Sequence, residues 1–223
     1  DNLDKTRVAG YLVSLNNVLR SGSYQTMPVF MRMLALLGLM ALSACATPRA
    51  DGPPPPGTAQ DVARLEQAIL SLGAEVDPEE ARRAARIAYD YTHQLAREYQ
   101  ITDPAIIHNT KVNMGLKPRG LCWHWAKDIE ARLNAENFQT LQMHRAIANA
   151  KNPILLEHST AIISRRGDSM FDGIVLDPWR KGGVLFWSPT LKDRRYNWHP
   201  RAEILAWKLG HDRAQQLLAT SGA

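Results

Sequence analysis

Residues 119–126 read RGLCWHWA, and this stretch places a single cysteine, Cys122, where a turn gives way to a helix. A thiol in the first turn of a helix lies among backbone N–H groups that no helical carbonyl accepts, and their partial positive charge favours the thiolate. The thiolate is the nucleophilic form of cysteine. The stretch therefore predicts that any chemistry of this chain occurs at Cys122, provided that other residues supply a base and an acid that orients the base.

The helix that carries the cysteine is predicted to run from about residue 121 to residue 134. Four residues at helical spacing share one of its faces: Cys122, Ala126, Ile129 and Leu133. This face is apolar, so we expect the thiol to point toward the body of the domain. His124 lies roughly 200° around the helix from Cys122 at 3.6 residues per turn. It is therefore a poor candidate for the base.

A hairpin further along the chain supplies a better base and an acid. Two runs rich in β-branched and aromatic residues, 154–164 and 170–177, flank a polar turn. A turn centred on residues 167–168 makes the numbers of paired residues sum to 335, which pairs His158 with Asp177. Opposed residues project from the same face, so the carboxylate can hold one imidazole nitrogen while the other faces the thiol.

Composition limits the class of protein. The chain has 223 residues, of which 45% are hydrophobic and 22% are charged, as expected for one globular domain with an additional segment. Its net charge is +5, and four of the 27 basic and two of the 22 acidic residues precede Cys45, which leaves +3 from Cys45 onward. No basic run is interleaved with aromatic residues, so we expect no nucleic-acid partner.

The N-terminal part of the sequence indicates export. Residues 31–33 form a basic start, residues 34–41 form a short apolar run and residues 42–45 read LSAC. The apolar run is too short to span a bilayer as a stable helix, although an ordinary buried helix is an alternative. LSAC resembles the lipobox of bacterial lipoproteins, in which the cysteine is acylated and becomes the first residue of the mature chain. The resemblance implies lipid attachment at Cys45 and an exported protein anchored to the membrane, expected at the outer membrane and facing the periplasm.

Four segments are expected along the chain. Residues 1–30 begin with Asp1, not Met, and are interpreted as a non-native upstream extension. Residues 31–44 form the signal peptide, and residues 45–58 form a proline-rich linker that acts as a stiff spacer outside the core. Residues 59–223 form the domain.

The pattern of the domain predicts an α+β fold. Helices are expected near residues 62–72 and from Asp77-Pro78, followed by a long irregular segment at 101–120 and the helix that carries the cysteine. Strands are then expected at 138–147, at the two runs of the hairpin, at 184–187 and, more weakly, at 195–198. Pro200 opens a last helix. Helices packed on an antiparallel sheet are therefore the predicted architecture.

The cysteine count affects how Cys122 is interpreted. With Cys45 lipidated, Cys122 has no partner within the chain, and an unpaired thiol in an exported protein indicates reactivity or intermolecular pairing. The alternative is a small buried hydrophobic residue, which is what most free cysteines are.

A known family shares this order of residues. The sequence GLCW at 120–123 followed by Ala126, with His158 in a strand and LDPW at 176–179 ending the next strand, resembles the transglutaminase-like branch of the papain-like cysteine enzymes. The resemblance covers roughly residues 105–190. It implies a catalytic triad in which Cys122 is the nucleophile, His158 the base and Asp177 the residue that orients the base.

The resemblance also implies an activity. Many members of this superfamily cleave or transfer amide acyl groups, so the implied substrate is a peptide or protein amide in the cell envelope, and no cofactor is expected. An upstream polar or indole side chain often assists the oxyanion hole in the family. No tryptophan precedes Cys122 between Cys45 and the thiol, so Asn113 is the candidate.

Two other functions remain open from the sequence. A zinc site could in principle use Cys122, His124, His144 and His158, but no pair of these has a recognised ligand spacing, and no metal is expected. A non-catalytic envelope lipoprotein could also retain the same fold as a binding module.

Overall fold

Five helices and a five-stranded antiparallel sheet form the part of the chain that the structure describes. The structure, a computed structural model, describes the backbone of residues 52–221 and the side chains of residues 52–211. The fold class is α+β, as predicted. The upstream extension, the signal peptide and Cys45 lie outside the described residues, so the expectations for them stay predictions.

The helices and strands follow one another with the helices mainly first. The helices are α1 (Ala59–Leu70), α2 (Pro78–Glu98), α3 (Ala105–Asn113), α4 (Cys122–Asn134) and α5 (Arg201–Ser221). The strands are β1 (Leu141–Ala148), β2 (His158–Arg165), β3 (Ile174–Asp177), β4 (Phe186–Pro189) and β5 (His199–Pro200). Short 3₁₀ turns occur at Met170–Asp172, Trp179–Lys181 and Thr190–Lys192. The strand order in the sheet is β4-β3-β2-β1-β5.

Helix α3 corrects the prediction of an irregular segment at 101–120. Its buried side chain is that of His108, and its apolar residues do not form a stripe along one face. Periodicity therefore could not reveal this helix, because it packs through a polar residue. Helix α2 starts as predicted: Asp77 caps it by accepting from Glu80 N at 2.9 Å, and Pro78 is its first residue.

The first part of the proline run packs against the domain and does not act as a spacer. Pro54 is buried, and its carbonyl accepts a hydrogen bond from His93 Nδ1 of α2 at 3.1 Å. Gly57 is packed so closely on Tyr89 that a Cβ there would lie 2.3 Å from the ring. The expectation that the whole of 45–58 stays outside the core is therefore wrong for this part, which packs against α2.

The register of β2 and β3 also differs from the prediction. Ala161 pairs with Leu176 and Ile162 pairs with Val175, so paired numbers sum to 337 and not to 335. The connection is longer than a two-residue turn and contains a 3₁₀ turn. The shift is an even number of residues, so every side chain keeps its face of the sheet. His158 and Asp177 are diagonal neighbours, which still lie within reach of one another's side chains.

The observed bounds of other strands differ from the predicted ones by a few residues. β2 begins at His158 and not at 154, because residues 154–156 form part of an exposed loop. β1 begins at Leu141 and not at 138, and the weak strand expected at 195–198 is replaced by the two-residue β5.

The sheet separates two apolar clusters. On one face, α1, α2 and α4 bury a large core, and Trp125, Leu65 and Ile163 are among its fully buried members. On the other face lies a smaller cluster: Ala146, Ala148, Ile162, Met170, Val175 and Trp198. Side chains alternate along a strand, so His158 at the start of β2 belongs to the face of Ile162, beside Trp198.

Glu80 joins the first turn of α2 to the start of the sheet. Its buried carboxylate accepts from Gln139 N at 2.6 Å, from Thr140 N at 2.8 Å and from Thr140 Oγ1 at 2.5 Å. Burial by itself raises the pKa of Glu80, but the hydrogen bonds from Thr140 and Gln139 outweigh burial and hold the pKa below its ordinary value.

Glu80→Gln is expected to lower the free energy of unfolding by about 2–3 kcal/mol at neutral pH, because a carboxamide offers one oxygen to three donors. The depressed pKa means that this stabilisation is present above the unfolded-state pKa of about 4.3 and is lost as the pH falls. Urea unfolding at about pH 7 and about pH 3.5 should therefore show a difference between the two proteins that shrinks at the lower pH. Glu79→Gln, at the exposed neighbour, is the control, and an equal effect of both substitutions would contradict this role of Glu80.

Candidate active site

The turn before Cys122 is held by three side chains. Trp125 Nε1 donates to Gly120 O at 3.0 Å, and His108 Nε2 donates to Arg119 O at 2.8 Å. His124 Nδ1 accepts from Gly120 N at 3.2 Å and from Leu121 N at 3.1 Å. These contacts start α4 at Cys122, whose own N–H is at the first helical position and has no acceptor within the helix.

His124 has a structural role that the sequence did not reveal. Burial, together with the charge of Arg119, lowers its pKa to about 4, so the ring is neutral and can accept the two N–H groups of the turn. His124 was predicted to point away from the thiol, and its ring instead contacts the turn before Cys122. The signal in the sequence is its position three residues after Leu121, where a polar side chain can reach back to cap a helix.

Position 120 requires glycine for two reasons, its backbone conformation and the close approach of His108. Its φ is +123°, and a Cβ at this position would lie 2.4 Å from His108 Nε2. L-residues rarely adopt this φ, and the buried imidazole is held by its own hydrogen bond.

Gly120→Ala is expected to lower the free energy of unfolding by about 2 kcal/mol or more and to slow alkylation of Cys122, because the displaced turn no longer positions the thiol. Thermal unfolding and the rate of iodoacetamide labelling measure the two effects. Gly115→Ala is the control: Gly115 also has a positive φ of +74°, but a Cβ there meets nothing within 4 Å. Equal destabilisation by both substitutions would show that the His108 contact is unimportant.

The structure brings His158 and Asp177 together. His158 Nε2 donates to Asp177 Oδ2 at 2.7 Å, and each side chain is 1% exposed. His158 is the first residue of β2 and Asp177 is the last of β3, so both lie at the same end of the sheet. The other ring nitrogen of His158, Nδ1, is buried and has no hydrogen-bond partner of good geometry among the described residues.

Cys122 lies next to this imidazole. Cys122 is 9% exposed. Its Sγ makes a long hydrogen bond of 3.9 Å to Glu157 O. Burial of the His158 ring acts to lower its pKa, but Asp177 and then Cys122 overcome burial and raise the pKa to about 9. His158 is therefore an imidazolium at neutral pH, with Nδ1 as the nitrogen left for the thiol.

Arg180 supports the acid from behind. Its Nε donates to Asp177 Oδ2 at 2.9 Å, and its backbone N–H donates to Asp177 Oδ1 at 3.1 Å. Both terminal nitrogens bind Asp193, at 3.0 and 2.6 Å, and Trp198 Nε1 donates to the same carboxylate at 3.0 Å. Burial alone would raise the pKa of Asp177, but the charges of His158 and Arg180 hold that pKa below its ordinary value. The acid is thus kept as a carboxylate.

Three aromatic rings surround the imidazole. The ring centroids of Trp179, Tyr196 and Trp198 lie 4.5, 4.6 and 5.4 Å from that of His158. Aromatic faces attract a cation and exclude water, so this environment favours a charged, well-oriented ring. Arg180 and Asp193 were missed from the sequence, although the position of Arg180 three residues after Asp177 was a local signal.

Other predicted site residues are not joined to this group. Asn113 ends α3 and makes no hydrogen bond to the triad residues in the described part of the chain; Asn109, one turn earlier, accepts from Trp179 Nε1 at 2.9 Å. His144 lies on β1 with its Nε2 2.8 Å from Ser164 Oγ. Within residues 52–211, no cluster of three or more His, Cys, Asp or Glu side chains has an arrangement that could hold a metal.

The loop between β1 and β2 covers the thiol. It ends at Glu157, whose carbonyl faces Sγ and whose side chain pairs with Lys208 of α5 at 2.6 Å. The same loop exposes Ile154, Leu155 and Leu156. Two surface cavities, of about 330 and 230 Å³, are lined by other residues; the smaller one includes Asp193, Tyr196 and Trp198, behind the imidazole.

No helix in the described part of the chain has the length and apolar character needed to cross a membrane. In comparisons with protein-family models, curated proteins and solved structures, nothing matches the chain. The geometry of the site is therefore the basis for assigning a function.

Proposed function

We propose that this protein is a thiol-dependent acyl-transfer enzyme, an amide hydrolase or acyltransferase with Cys122 as nucleophile, His158 as acid and base, and Asp177 as the residue that orients His158. The finer architecture that we propose is the papain-like, transglutaminase-like one. One observation carries the proposal: a buried imidazole uses Nε2 to bind a carboxylate and leaves Nδ1 for the cysteine at the start of α4. This is the arrangement that nucleophilic catalysis by a thiol requires.

Each step of the reaction uses a group in this site. The Cys122 sulfur attacks the amide carbonyl carbon, forming an S–C bond as the carbonyl π electrons move to oxygen. Collapse of this intermediate breaks the C–N bond, and His158 delivers its Nδ1 proton to the leaving amine. Water or an amine then attacks the thioester and gives a proton to His158. The C–S bond breaks, which releases the product and restores the thiolate and imidazolium.

The developing oxyanion needs hydrogen-bond donors. The N–H of Cys122 has no acceptor within α4 and belongs to the nucleophilic residue itself, so we propose it as one of these donors. Asn113 stays a proposed second donor, without a contact that supports it.

The resemblance of the LSAC stretch to a lipobox supports a location at the cell envelope. We propose lipid attachment at Cys45, an outer-membrane anchor facing the periplasm and a peptide or protein amide substrate there. Metabolic labelling with an alkyne fatty acid, lost on Cys45→Ser, tests the anchor. A protein that carries no label in a bacterial host with a lipoprotein pathway would contradict it.

A non-catalytic binding module is the second candidate function, and the burial of the site favours it. Cys122 is 9% exposed, and the Glu157 carbonyl lies over its sulfur. The thiol therefore presents little surface to a substrate, and a module without catalysis needs no accessible thiol.

An active-site acylation experiment separates the two candidates. The small activated ester p-nitrophenyl acetate should release a burst of one p-nitrophenolate per protein molecule. The intact mass spectrum should show one added acetyl group, on Cys122. Cys122→Ala should abolish the burst and leave only slow background acetylation. A folded protein whose thiol gives no burst would eliminate the enzyme and leave the binding module.

A further inference from the structure

Three consecutive large apolar residues are exposed on the loop between β1 and β2. Ile154, Leu155 and Leu156 are 84%, 54% and 52% exposed. Single exposed apolar residues are common on protein surfaces, whereas a contiguous apolar patch marks a place where something binds. No second run of three such residues is exposed among the side chains that the structure describes.

Hydrogen bonds hold this loop in a defined shape. Asn152 Oδ1 accepts from Ile154 N at 2.9 Å and from Leu155 N at 3.0 Å. Asn149 Nδ2 donates to Leu156 O at 3.1 Å. The loop therefore folds on its own polar groups, and its three apolar side chains join neither of the two apolar clusters of the domain.

Helix α5 adds an aromatic residue and a cation beside the loop. Lys151 Nζ of the loop lies 5.6 Å from the centroid of the Trp207 ring, and Trp207 is itself exposed. The next residue of α5, Lys208, pairs with Glu157 at the end of the loop at 2.6 Å. An indole with ammonium groups around it is typical of side chains at the boundary between water and lipid.

The charge around the loop suits an anionic surface. Residues 149–156 contain no acid and one cation, Lys151, which makes no ion pair with a described residue. The first acid that follows, Glu157, is already neutralised by Lys208. The exposed apolar side chains are thus accompanied by an unpaired positive charge, which anionic lipid headgroups attract.

We propose that the loop patch, defined as Ile154, Leu155, Leu156 and Trp207, inserts into the surface of a bilayer that contains anionic lipid. Apolar side chains gain free energy when they leave water for the acyl chains, and the binding strength of such a patch scales with its buried apolar area. Lys151 then lies at the level of the headgroup phosphates.

The loop patch goes beyond the proposed lipid anchor, because it binds the bilayer through the domain itself. The two are compatible: nine residues lead from Cys45 to Pro54, which packs on α2, and an extended chain of this length spans at most about 30 Å. An anchor at Cys45 would therefore keep the domain close to the bilayer.

Docking of the loop patch also brings the candidate site to the membrane. The loop ends at Glu157, whose carbonyl contacts Cys122 Sγ. Where the proposed function holds, the amide substrate is therefore one presented near the bilayer surface. This consequence rests on the proposed function, and the docking itself does not.

Sedimentation with lipid vesicles tests the docking. The full chain carrying Cys45→Ser is mixed with vesicles of phosphatidylcholine alone or of phosphatidylcholine with phosphatidylglycerol, so that no attached lipid contributes. Ile154→Asp is expected to lower the partition coefficient on the mixed vesicles by roughly ten-fold or more, because it replaces an inserted apolar side chain by an anion. Lys151→Gln is expected to lower it by roughly five-fold on the mixed vesicles only.

Leu191→Asp is the matched control. Leu191 is exposed on the 3₁₀ turn Thr190–Lys192, and it lines the smaller cavity together with an aromatic residue, Phe171, and a cation, Arg194. Its substitution should leave the partition coefficient unchanged. The N-terminal residues are the same in every protein compared, so their own affinity for lipid cancels in the ratio of partition coefficients.

Each result decides the proposal, once a cooperative thermal transition shows that the variants are folded. A partition coefficient that is unchanged by Ile154→Asp, or lowered as much by Leu191→Asp, overturns docking through the loop patch. A parent protein that does not sediment with either kind of vesicle also overturns it and leaves the patch to a protein partner. None of these results depends on lipid at Cys45 or on the reactivity of Cys122, so failure of the docking is distinguishable from failure of the proposed function.

Discussion

His158→Gln is expected to lower turnover of an amide or ester substrate by about a thousand-fold. General acid–base catalysis by a positioned side chain contributes about 10²–10⁴-fold, and the imidazolium is also the proposed partner of the Cys122 thiolate. Glutamine can hydrogen-bond to Asp177, but it cannot accept and deliver a proton. The substitution therefore tests the proton transfer separately from the packing of the buried ring, because the two side chains are similar in size.

The pH profile gives an independent measure of the same residue. The pKa of His158 is raised to about 9, so its proton is present at neutral pH and is lost as the pH rises through that value. Turnover by the wild-type protein should fall above about pH 9, and His158→Gln should lack this alkaline limb. The stabilisation that comes from the raised pKa should likewise be complete below an unfolded-state value of about 6.5 and be lost as the pH rises through about 9.

His144→Gln is the matched control for this prediction. His144 lies on the neighbouring strand β1 and contacts Ser164, away from Asp177. Its substitution should leave turnover within about two-fold of wild type, as is usual for a residue outside the reacting groups. If His158→Gln and His144→Gln had equal effects, the triad would be refuted.

Arg180→Met is expected to lower the free energy of unfolding by about 3–5 kcal/mol, the cost of removing one partner from a buried ion pair. Arg180 is 8% exposed and binds Asp177 and Asp193, whose side chains are 1% and 2% exposed. Methionine retains much of the volume, so the loss would come from two carboxylates left without their shared cation. Denaturant unfolding of wild type and variant measures the difference directly.

The same substitution should also affect the site. Arg180 helps to hold the pKa of Asp177 low, and Asp177 is the main residue that raises the pKa of His158. Without Arg180 the carboxylate of Asp177 has His158 as its remaining cation, so a folded Arg180→Met protein should show an alkaline limb of turnover at a higher pH than wild type. Arg82→Met is the control, since Arg82 makes a similar short pair with Glu79 on an exposed face. Its unfolding midpoint should not change, and a loss as large as that of Arg180→Met would show that burial is not the cause.

Local signals in the sequence were sufficient for several features. The cap and proline at Asp77-Pro78, the start of the helix at Cys122 and the common face of His158 and Asp177 depend on residues close in the chain or on the two-residue period of a strand. Helix caps act within one turn, and side-chain parity survives an even shift in register. For this reason the contact between His158 and Asp177 was predicted although the register was wrong by two residues.

Tertiary structure decided what depends on distant partners. Helix α3 lacks an apolar stripe and is held by the contact of His108 with the turn before Cys122. Arg180 binds Asp177 locally, but its second partner, Asp193, is 13 residues away in the chain and is itself held by Trp198. Such pairings are set by long-range packing and burial, and no pattern in neighbouring residues encodes them. The sequence by itself determined which residues could react, and the folded chain determined which of them meet, how deeply they are buried and which charges surround them.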